Sequence, residues 1–130
     1  SIQVPCVSSY LDKGIKVGLG TDVAAGESLS MPHEMIRAVQ VSKIRWRYVN
    51  AKERPINMMD AFYMATRIGG EFFGNVGCFE EGYEFDAIVV DDSTSKTYID
   101  LNEAKRVERM FYLAHECCVQ AKFVLGKKVI

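Results

Sequence analysis

The strongest candidate in this chain for a catalytic or metal-binding side chain is the carboxylate of Asp22. It follows the apolar run Ile15 to Leu19 and the Gly20-Thr21 pair, a pattern that predicts a buried strand ending on an ionisable side chain. An ionised carboxylate away from water is unfavourable unless it is paired or bound to a metal. Strand ends on one face of barrel enzymes carry catalytic side chains. The alternative is an aspartate that caps the following turn.

The residues around Asp22 resemble a known family. The stretches Gly18-Leu19-Gly20-Thr21-Asp22-Val23-Ala24-Ala25-Gly26, Ser28-Leu29-Ser30-Met31 and Ala38-Val39-Gln40-Val41-Ser42-Lys43 are similar to those of guanine deaminases in the amidohydrolase superfamily, which also contains chlorohydrolase-like proteins. In that family the Gly-Thr-Asp closes the eighth barrel strand, and its aspartate faces a catalytic zinc. Ala25 stands where the family more often has glycine, so we expect less backbone freedom in this loop.

Two later segments carry the same resemblance. Residues 77–91 resemble the stretch where amidohydrolase chains leave the barrel and enter a small β-sandwich, and residues 119–130 resemble the closing hairpin of that sandwich. The implied fold class is α/β: the last strand and following helices of a (β/α)8 barrel, plus strands of the small β-sandwich. We expect residues 1–75 to end the barrel and residues 76–130 to form the sandwich portion, with one helix.

The resemblance implies a metal site that this chain does not complete. The family's other metal ligands are histidines on earlier barrel strands, including a His-x-His pair. This sequence has only His33 and His115, neither of them in such a pair, and it starts at Ser1 without a methionine. We therefore interpret it as the C-terminal piece of a longer enzyme and expect the piece alone to be inactive.

The implied activity is the zinc-dependent hydrolysis of guanine to xanthine and ammonia. A zinc ion lowers the pKa of a bound water toward neutrality, and a carboxylate beside that water can accept and pass on its proton. Asp22 is the residue that the resemblance assigns to this work, as metal ligand, proton shuttle and substrate contact. The implied partners are a small purine and, for the full-length enzyme, a second copy in a homodimer.

Three other interpretations remain open at this point. A related amidohydrolase that acts on another amino- or chloro-substituted ring would keep Gly-Thr-Asp and the zinc and change the pocket. The chain could instead be a non-catalytic binding domain that uses the Gly20 to Gly26 loop, or a structural interaction module. The loop lacks the Gly-Lys-Ser/Thr ending of a P-loop, so it does not favour phosphate binding.

Composition limits the partners and the compartment. The chain has 130 residues and a net charge of −1, which gives no electrostatic attraction to nucleic acid or anionic lipid. No apolar stretch reaches the length of a membrane span, and Ser1 does not open a signal peptide. Cys6, Cys78, Cys117 and Cys118 lack Cys-x-x-Cys spacing, and four unpaired thiols are typical of the reducing cytoplasm.

Helices and strands follow from apolar spacing. Helices are predicted at Val4 to Leu11, from Ser30 with Pro32 in the first turn, from Asn57 to the Gly69-Gly70 pair, and at Asn102 to His115. In the second of these, Met31, Met35 and Val39 form a stripe that Trp46 and Val49 extend; the third is expected to bury Met58, Ala61, Phe62 and Ala65. Phe85 to Val90 is predicted as a buried strand, and Val119 to Phe123 as a half-buried one before a turn at Gly126.

Two polar features of the second helix are interpreted as surface. His33 has no second ligand four residues on, so a surface or packing role is favoured over metal binding. Arg37, Lys43, Arg45 and Arg47 make a basic stretch that we expect to be solvated or to face another subunit. Asp92, in the polar turn after the strand at residues 85–90, is also expected to be solvated.

Overall fold

The computed structural model describes residues 5–93, 98–113 and 119–130. The chain divides into two compact units, Ser1–Gly69 and Gly70–Ile130, and each is described by itself. His115, Cys117 and Cys118 lie outside the described residues, so the predictions made for them stay predictions. The predicted division into a barrel portion, residues 1–75, and a sandwich portion, residues 76–130, also stays a prediction.

Helices make up the regular structure described in the first unit. They are α1 (Val7–Asp12), α2 (Met31–Tyr48) and α3 (Met58–Tyr63), which continues through a π-helical turn at Met64–Ile68. The short α4 (Gly69–Glu71) follows directly in sequence and begins at the last residue of the unit. The third helix ends at Glu71, one residue after the Gly69-Gly70 pair that was predicted to end it. Gly69 has a helical φ of −62°, and a glycine with helical dihedrals lets the chain continue in the same direction.

Helices α2 and α3 begin where their capping residues predict. Ser30 is the N-cap of α2 and accepts the His33 N–H at 3.4 Å, with Pro32 and Glu34 in the first turn. Asn57 caps α3 with a reciprocal pair of bonds: its side chain accepts the Asp60 N–H at 2.9 Å, and Asp60 Oδ2 accepts the Asn57 N–H at 2.9 Å. Such a capping box satisfies two of the N–H groups that a helix start leaves unpaired.

The core of the first unit lies between α2, α3 and the π-helical turn. Its buried apolar side chains are Met35, Val39, Ile56, Met58, Ala61, Met64 and Ile68. The predicted stripe is confirmed as far as Val39, but Trp46 and Val49 are 41% and 65% exposed, and Phe62 is 37% exposed. Helical periodicity marks which face is apolar but not how far along the helix a neighbour covers it.

The predicted buried strand at Ile15 to Leu19 is not a strand of any sheet in the described part of the chain. Ile15 is 50% exposed, so the prediction of burial was wrong for this structure. The backbone is held at its two ends instead: the Ile15 N–H donates to the Tyr10 carbonyl at 2.9 Å, and the Leu19 N–H donates to the Met64 carbonyl at 3.2 Å.

The described part of the second unit contains a three-stranded antiparallel sheet and an 11-residue helix. The strands are β1 (Ala87–Val90), β2 (Val119–Val124) and β3 (Lys127–Lys128), in the order β1-β2-β3, and α5 (Glu103–Leu113) lies between β1 and β2 in sequence. Ala87 pairs with Phe123 and Val89 with Ala121, and the register shifts between Val89 and Val90. The turn after β2 uses positive φ at Leu125 and Gly126, as the glycine predicted.

The predicted burial was correct for β2 and wrong for β1. β2 alternates as predicted, with Ala121 buried and Gln120 and Lys122 exposed. In β1, however, Ile88 and Val89 are 57% and 48% exposed, so this strand is not buried as predicted. A run of β-branched residues predicts the strand itself, but burial depends on what lies above each face.

Asp92 is solvated, as predicted, with 41% of its side chain exposed, and it is also paired. Arg106 in α5 donates to both of its carboxylate oxygens, with Nη2 2.9 Å from Oδ2 and 3.1 Å from Oδ1. The described thiols, Cys6 and Cys78, form no disulfide. None of the helices in the described ranges has the length and apolar character needed to cross a membrane.

Candidate functional site

Asp22 lies on a tight loop that its own backbone closes. Its φ is 47°, in the left-handed region that aspartate tolerates better than most residues. Its carbonyl accepts the Ala25 N–H at 3.0 Å and also the Gly26 N–H. The side chain is exposed, so the predicted burial of this carboxylate was wrong for the chain as it stands. The loop thus holds the Asp22 backbone and presents the carboxylate outward.

Gly26 makes this loop possible. A Cβ atom at position 26 would lie 2.1 Å from the Thr21 carbonyl oxygen and 3.1 Å from that of Asp22. Those distances are far inside contact, and both atoms belong to the backbone, so a side chain here would force the loop open. Glycine at this position is therefore required by close approach of the backbone to itself.

Ala25 does not adopt the left-handed backbone conformation that favours glycine. The positive φ angles of non-glycine residues in this loop are at Asp22 and Ala24, the latter at 86°. Ala25 is not among them, and its N–H is used in the bond to Asp22. The expected loss of backbone freedom at Ala25 stays a prediction, and the unusual backbone conformation lies one residue earlier, at Ala24.

The segment that leads to Asp22 rests on the π-helical turn. The Leu19 N–H and the Gly69 N–H both donate to the Met64 carbonyl. A Cβ at Gly18 would lie 3.7 Å from the Gly69 Cα, so the two backbones run close together. Sequence reasoning missed this element. The Gly69-Gly70 pair was the available signal, and it predicted a helix end instead of a close backbone contact.

On the other side of Asp22, the loop is tied to α2 by charge. Arg37 contacts Glu27 in the loop, and its Nη1 lies 3.2 Å from Glu34 Oε1. Part of the predicted basic stretch is therefore neutralised inside the unit. Arg45 likewise pairs with Glu53, and the Arg47 guanidinium lies 5.7 Å from the centre of the Tyr48 ring.

The described residues do not bring further metal ligands to Asp22. His33 is exposed near the start of α2, in agreement with the predicted surface role. Across residues 5–93, 98–113 and 119–130, no three His, Cys, Asp or Glu side chains are grouped so that they could hold a metal ion. A catalytic zinc takes three protein ligands as a rule, and Asp22 alone supplies one carboxylate.

Solved structures resemble this arrangement closely. A guanine deaminase from C. acetobutylicum, solved with bound guanine in its active site, is 42% identical, with a TM-score of 0.86. The match covers 95% of this chain and 29% of that one. The chain therefore has the fold of the corresponding part of that protein. The barrel as a whole lies beyond what this match covers.

Curated relatives agree. Guanine deaminase from Homo sapiens is 35% identical over 137 residues, which cover 95% of this chain and 30% of the relative. The 5-methylthioadenosine/S-adenosylhomocysteine deaminase of Dictyoglomus thermophilum is 34% identical, over 93% of this chain and 28% of its own length. The chain thus spans less than a third of the relatives it matches.

One family match covers almost the whole chain and identifies the family. Residues 3–129 match the amidohydrolase family, which takes in both units and the whole of the loop around Asp22. The resemblance carried by Gly-Thr-Asp in the sequence is thereby confirmed over almost the full chain. This chain belongs to the amidohydrolase family.

Proposed function

We propose that this chain is the C-terminal portion of a zinc-dependent aminohydrolase that converts guanine to xanthine and ammonia. The observation that carries the proposal is the 42% identity, over 95% of the chain, to a guanine deaminase that was solved with bound guanine. The 35% identity to a second guanine deaminase supports the same substrate.

Asp22 is the residue to which we assign the chemistry. Its carboxylate is exposed at the tip of a loop that is fixed on both sides, a placement suited to a ligand that must meet a metal and a substrate. The donor type fits, since zinc accepts carboxylate oxygens together with imidazole nitrogens. The remaining ligands belong, in this proposal, to the part of the protein that this chain does not include.

The reaction replaces an amino group with oxygen on a purine ring. Water adds to the ring carbon, the bond from that carbon to the amino nitrogen breaks, and ammonia leaves. A bound zinc ion would supply activation of the attacking water. Asp22 accepts the proton that the water gives up and delivers it to the departing nitrogen, so the carboxylate ends the cycle in its starting state.

A second substrate class has a specific observation behind it. The match to a deaminase of 5-methylthioadenosine and S-adenosylhomocysteine reaches 34% identity, close to that of the human guanine deaminase. An amidohydrolase that acts on another amino-substituted ring would use the same Asp22 with a different pocket. Homodimer formation and a cytoplasmic location, both implied by the resemblance, stay predictions.

The test uses the full-length protein and the 130-residue chain side by side. Each is assayed for ammonia release from guanine and from S-adenosylhomocysteine, and its zinc content is measured. We expect xanthine and ammonia from guanine with the full-length protein only, and no stoichiometric zinc in the chain alone. Turnover of S-adenosylhomocysteine without turnover of guanine would replace the proposed substrate. A complete upstream sequence without a His-x-His motif would contradict the zinc assignment.

A further inference from the structure

One backbone hydrogen bond joins the segment before Asp22 to the helical core of its unit. The Leu19 N–H lies 3.2 Å from the Met64 carbonyl oxygen, three residues before Asp22. The same oxygen accepts the Gly69 N–H, which closes the widened ring of the π-helical turn. A carbonyl oxygen has two lone pairs, so both donors can be satisfied at once.

Glycines on both sides bring the two backbones close enough for this bond. A Cβ added at Gly69 would lie 3.3 Å from the Met64 carbonyl oxygen, and one added at Gly18 would lie 3.7 Å from the Gly69 Cα. The first distance is tighter than an ordinary contact. A side chain at position 69 would therefore displace the acceptor by a few tenths of an ångström.

The acceptor belongs to a buried turn of helix. Met64 and Ile68, the first and last residues of the π-helical turn, are 2% and 8% exposed. The Thr66 hydroxyl donates to the Phe62 carbonyl at 2.7 Å, an additional bond across the junction with α3. Residues 15–22, in contrast, have no regular secondary structure. The turn is thus the fixed partner, and the segment is the part that is held.

We propose that the π-helical turn is a positioning element for Asp22, acting through the bond from the Leu19 N–H to the Met64 carbonyl. The bond fixes the position of the backbone at Leu19, three residues before Asp22, and therefore the position of the Asp22 carboxylate. The catalytic part of this inference rests on the proposed function. π-helical turns within α-helices are found at functional sites with unusual frequency, because they redirect backbone groups out of the helical ladder.

The sharpest variant removes the donor and leaves every side chain in place. Replacing the Leu19 amide with an ester, by semisynthesis with the matching hydroxy acid, keeps the side chain and deletes the N–H. The same replacement at Leu29 is the matched control: Leu29 is exposed, and within the described ranges its N–H makes no hydrogen bond. Gly69→Ala is the second variant, since it displaces the acceptor while leaving the Leu19 amide in place.

The readout is amide hydrogen exchange in the 130-residue chain at Ala25 and Gly26, whose N–H groups close the loop on the Asp22 carbonyl. The Leu19 ester is expected to speed exchange at both positions by about threefold to tenfold, the range for one backbone hydrogen bond. The Leu29 ester should leave both rates unchanged. Unchanged rates with the Leu19 ester, or equal acceleration from both esters, would overturn the proposal.

Kinetics of the full-length protein separate positioning from simple stabilisation. Gly69→Ala is expected to lower kcat by about tenfold with KM for guanine unchanged, because a small misplacement of a catalytic group lowers the rate more than binding, and to speed exchange of the Leu19 amide. A fall in melting temperature with kcat unchanged would mean that the turn is only structural. If the wild-type protein does not deaminate guanine, the proposed function fails, while the exchange results still decide whether the turn holds the Asp22 loop.

Discussion

Arg45 and Glu53 form a two-point ion pair at the end of α2. Arg45 Nε lies 2.7 Å from Glu53 Oε2, and Nη2 lies 3.1 Å from Oε1. Asn50 Nδ2 also donates to Oε1, at 2.9 Å. The pair joins the last turns of the helix to the loop that follows, so it fixes where the chain turns toward Ile56 and α3.

This pair predicts how stability depends on acid pH. The Arg45 hydrogen bond, with smaller contributions from Cys6 and Asn50, lowers the pKa of Glu53 from 4.5 to about 2. A carboxyl group with a lower pKa in the folded state stabilises the fold above its unfolded pKa. The stabilisation is fully present above about pH 4.5 and is lost as the pH falls toward about 2.

Glu53→Gln should therefore flatten the acid limb of the stability profile. Above pH 4.5 we expect the variant to melt at a lower temperature than the wild type, and the difference should shrink as the pH is lowered toward 2. Glu81→Gln, a substitution at an exposed carboxylate, is the control. A difference that stays constant over this pH range would contradict the assignment.

The sequence predicted those features of the fold that depend on nearby residues, such as helix starts. It did not predict burial, which depends on residues that are distant in sequence. Ser30 and Asn57 predicted two helix starts correctly because capping uses only nearby backbone groups. Trp46, Ile88 and Val89 were predicted buried or on a core stripe and are exposed, because an apolar face does not say which surface covers it. The π-helical turn was missed because the signal beside it, the Gly69-Gly70 pair, predicted a helix end instead.

At the site, the residue type was predictable and its surroundings were not. Asp22 was found from Gly-Thr-Asp and the residues around it, and the family that this motif implied was confirmed. The contacts that hold the loop from outside come from the Met64 carbonyl and the Arg37 side chain, and neither residue belongs to a motif. The backbone contact from Met64, 45 residues after Leu19, leaves no periodic trace in the sequence.

The Asp22 loop provides a matched pair of glycine substitutions. Gly26→Ala would place a Cβ 2.1 Å from a backbone oxygen and should destabilise the first unit by about 1–3 kcal/mol. Gly20→Ala meets no atom within 4 Å and should change stability by no more than about 0.5 kcal/mol. Urea unfolding of both variants gives the comparison. Equal stability of the two would show that the loop does not close as described.

Helix capping yields a ranked prediction. Asn57→Ala removes one half of a reciprocal capping box with two 2.9 Å bonds and should lower the free energy of unfolding by about 1 kcal/mol. Ser30→Ala removes a single longer bond of 3.4 Å and should lower it by about half as much. Denaturant midpoints at equal slopes test the order. A larger loss at Ser30 would contradict the account of the two helix starts.

The exposed aromatic side chains of the second unit predict the solution behaviour of the isolated chain. Phe72 and Phe73 are 86% and 81% exposed and contact each other edge to face at 5.1 Å. Exposed apolar clusters favour association, so we expect the chain to bind an apolar dye and to self-associate. The Phe72→Gln/Phe73→Gln double variant should self-associate less, as measured by light scattering, and should bind less dye, as measured by dye fluorescence.

Tyr98→Gln is the control for that experiment. Tyr98 is fully exposed as well, so its replacement removes a similar aromatic surface away from the phenylalanine pair. We expect this variant to behave like the wild type. A wild-type chain that is monomeric at all concentrations, and that does not bind the dye, would show that the phenylalanine pair has no such effect.

The measurement that tests the central claim most directly is guanine turnover by Asp22→Asn in the full-length protein. The amide keeps the shape of the carboxylate but loses its charge and its capacity to accept a proton. We expect turnover to fall by roughly 10²- to 10⁴-fold, with the melting temperature unchanged and with Asp100→Asn, at an exposed aspartate, fully active. Near-normal turnover by Asp22→Asn would remove this residue from the mechanism.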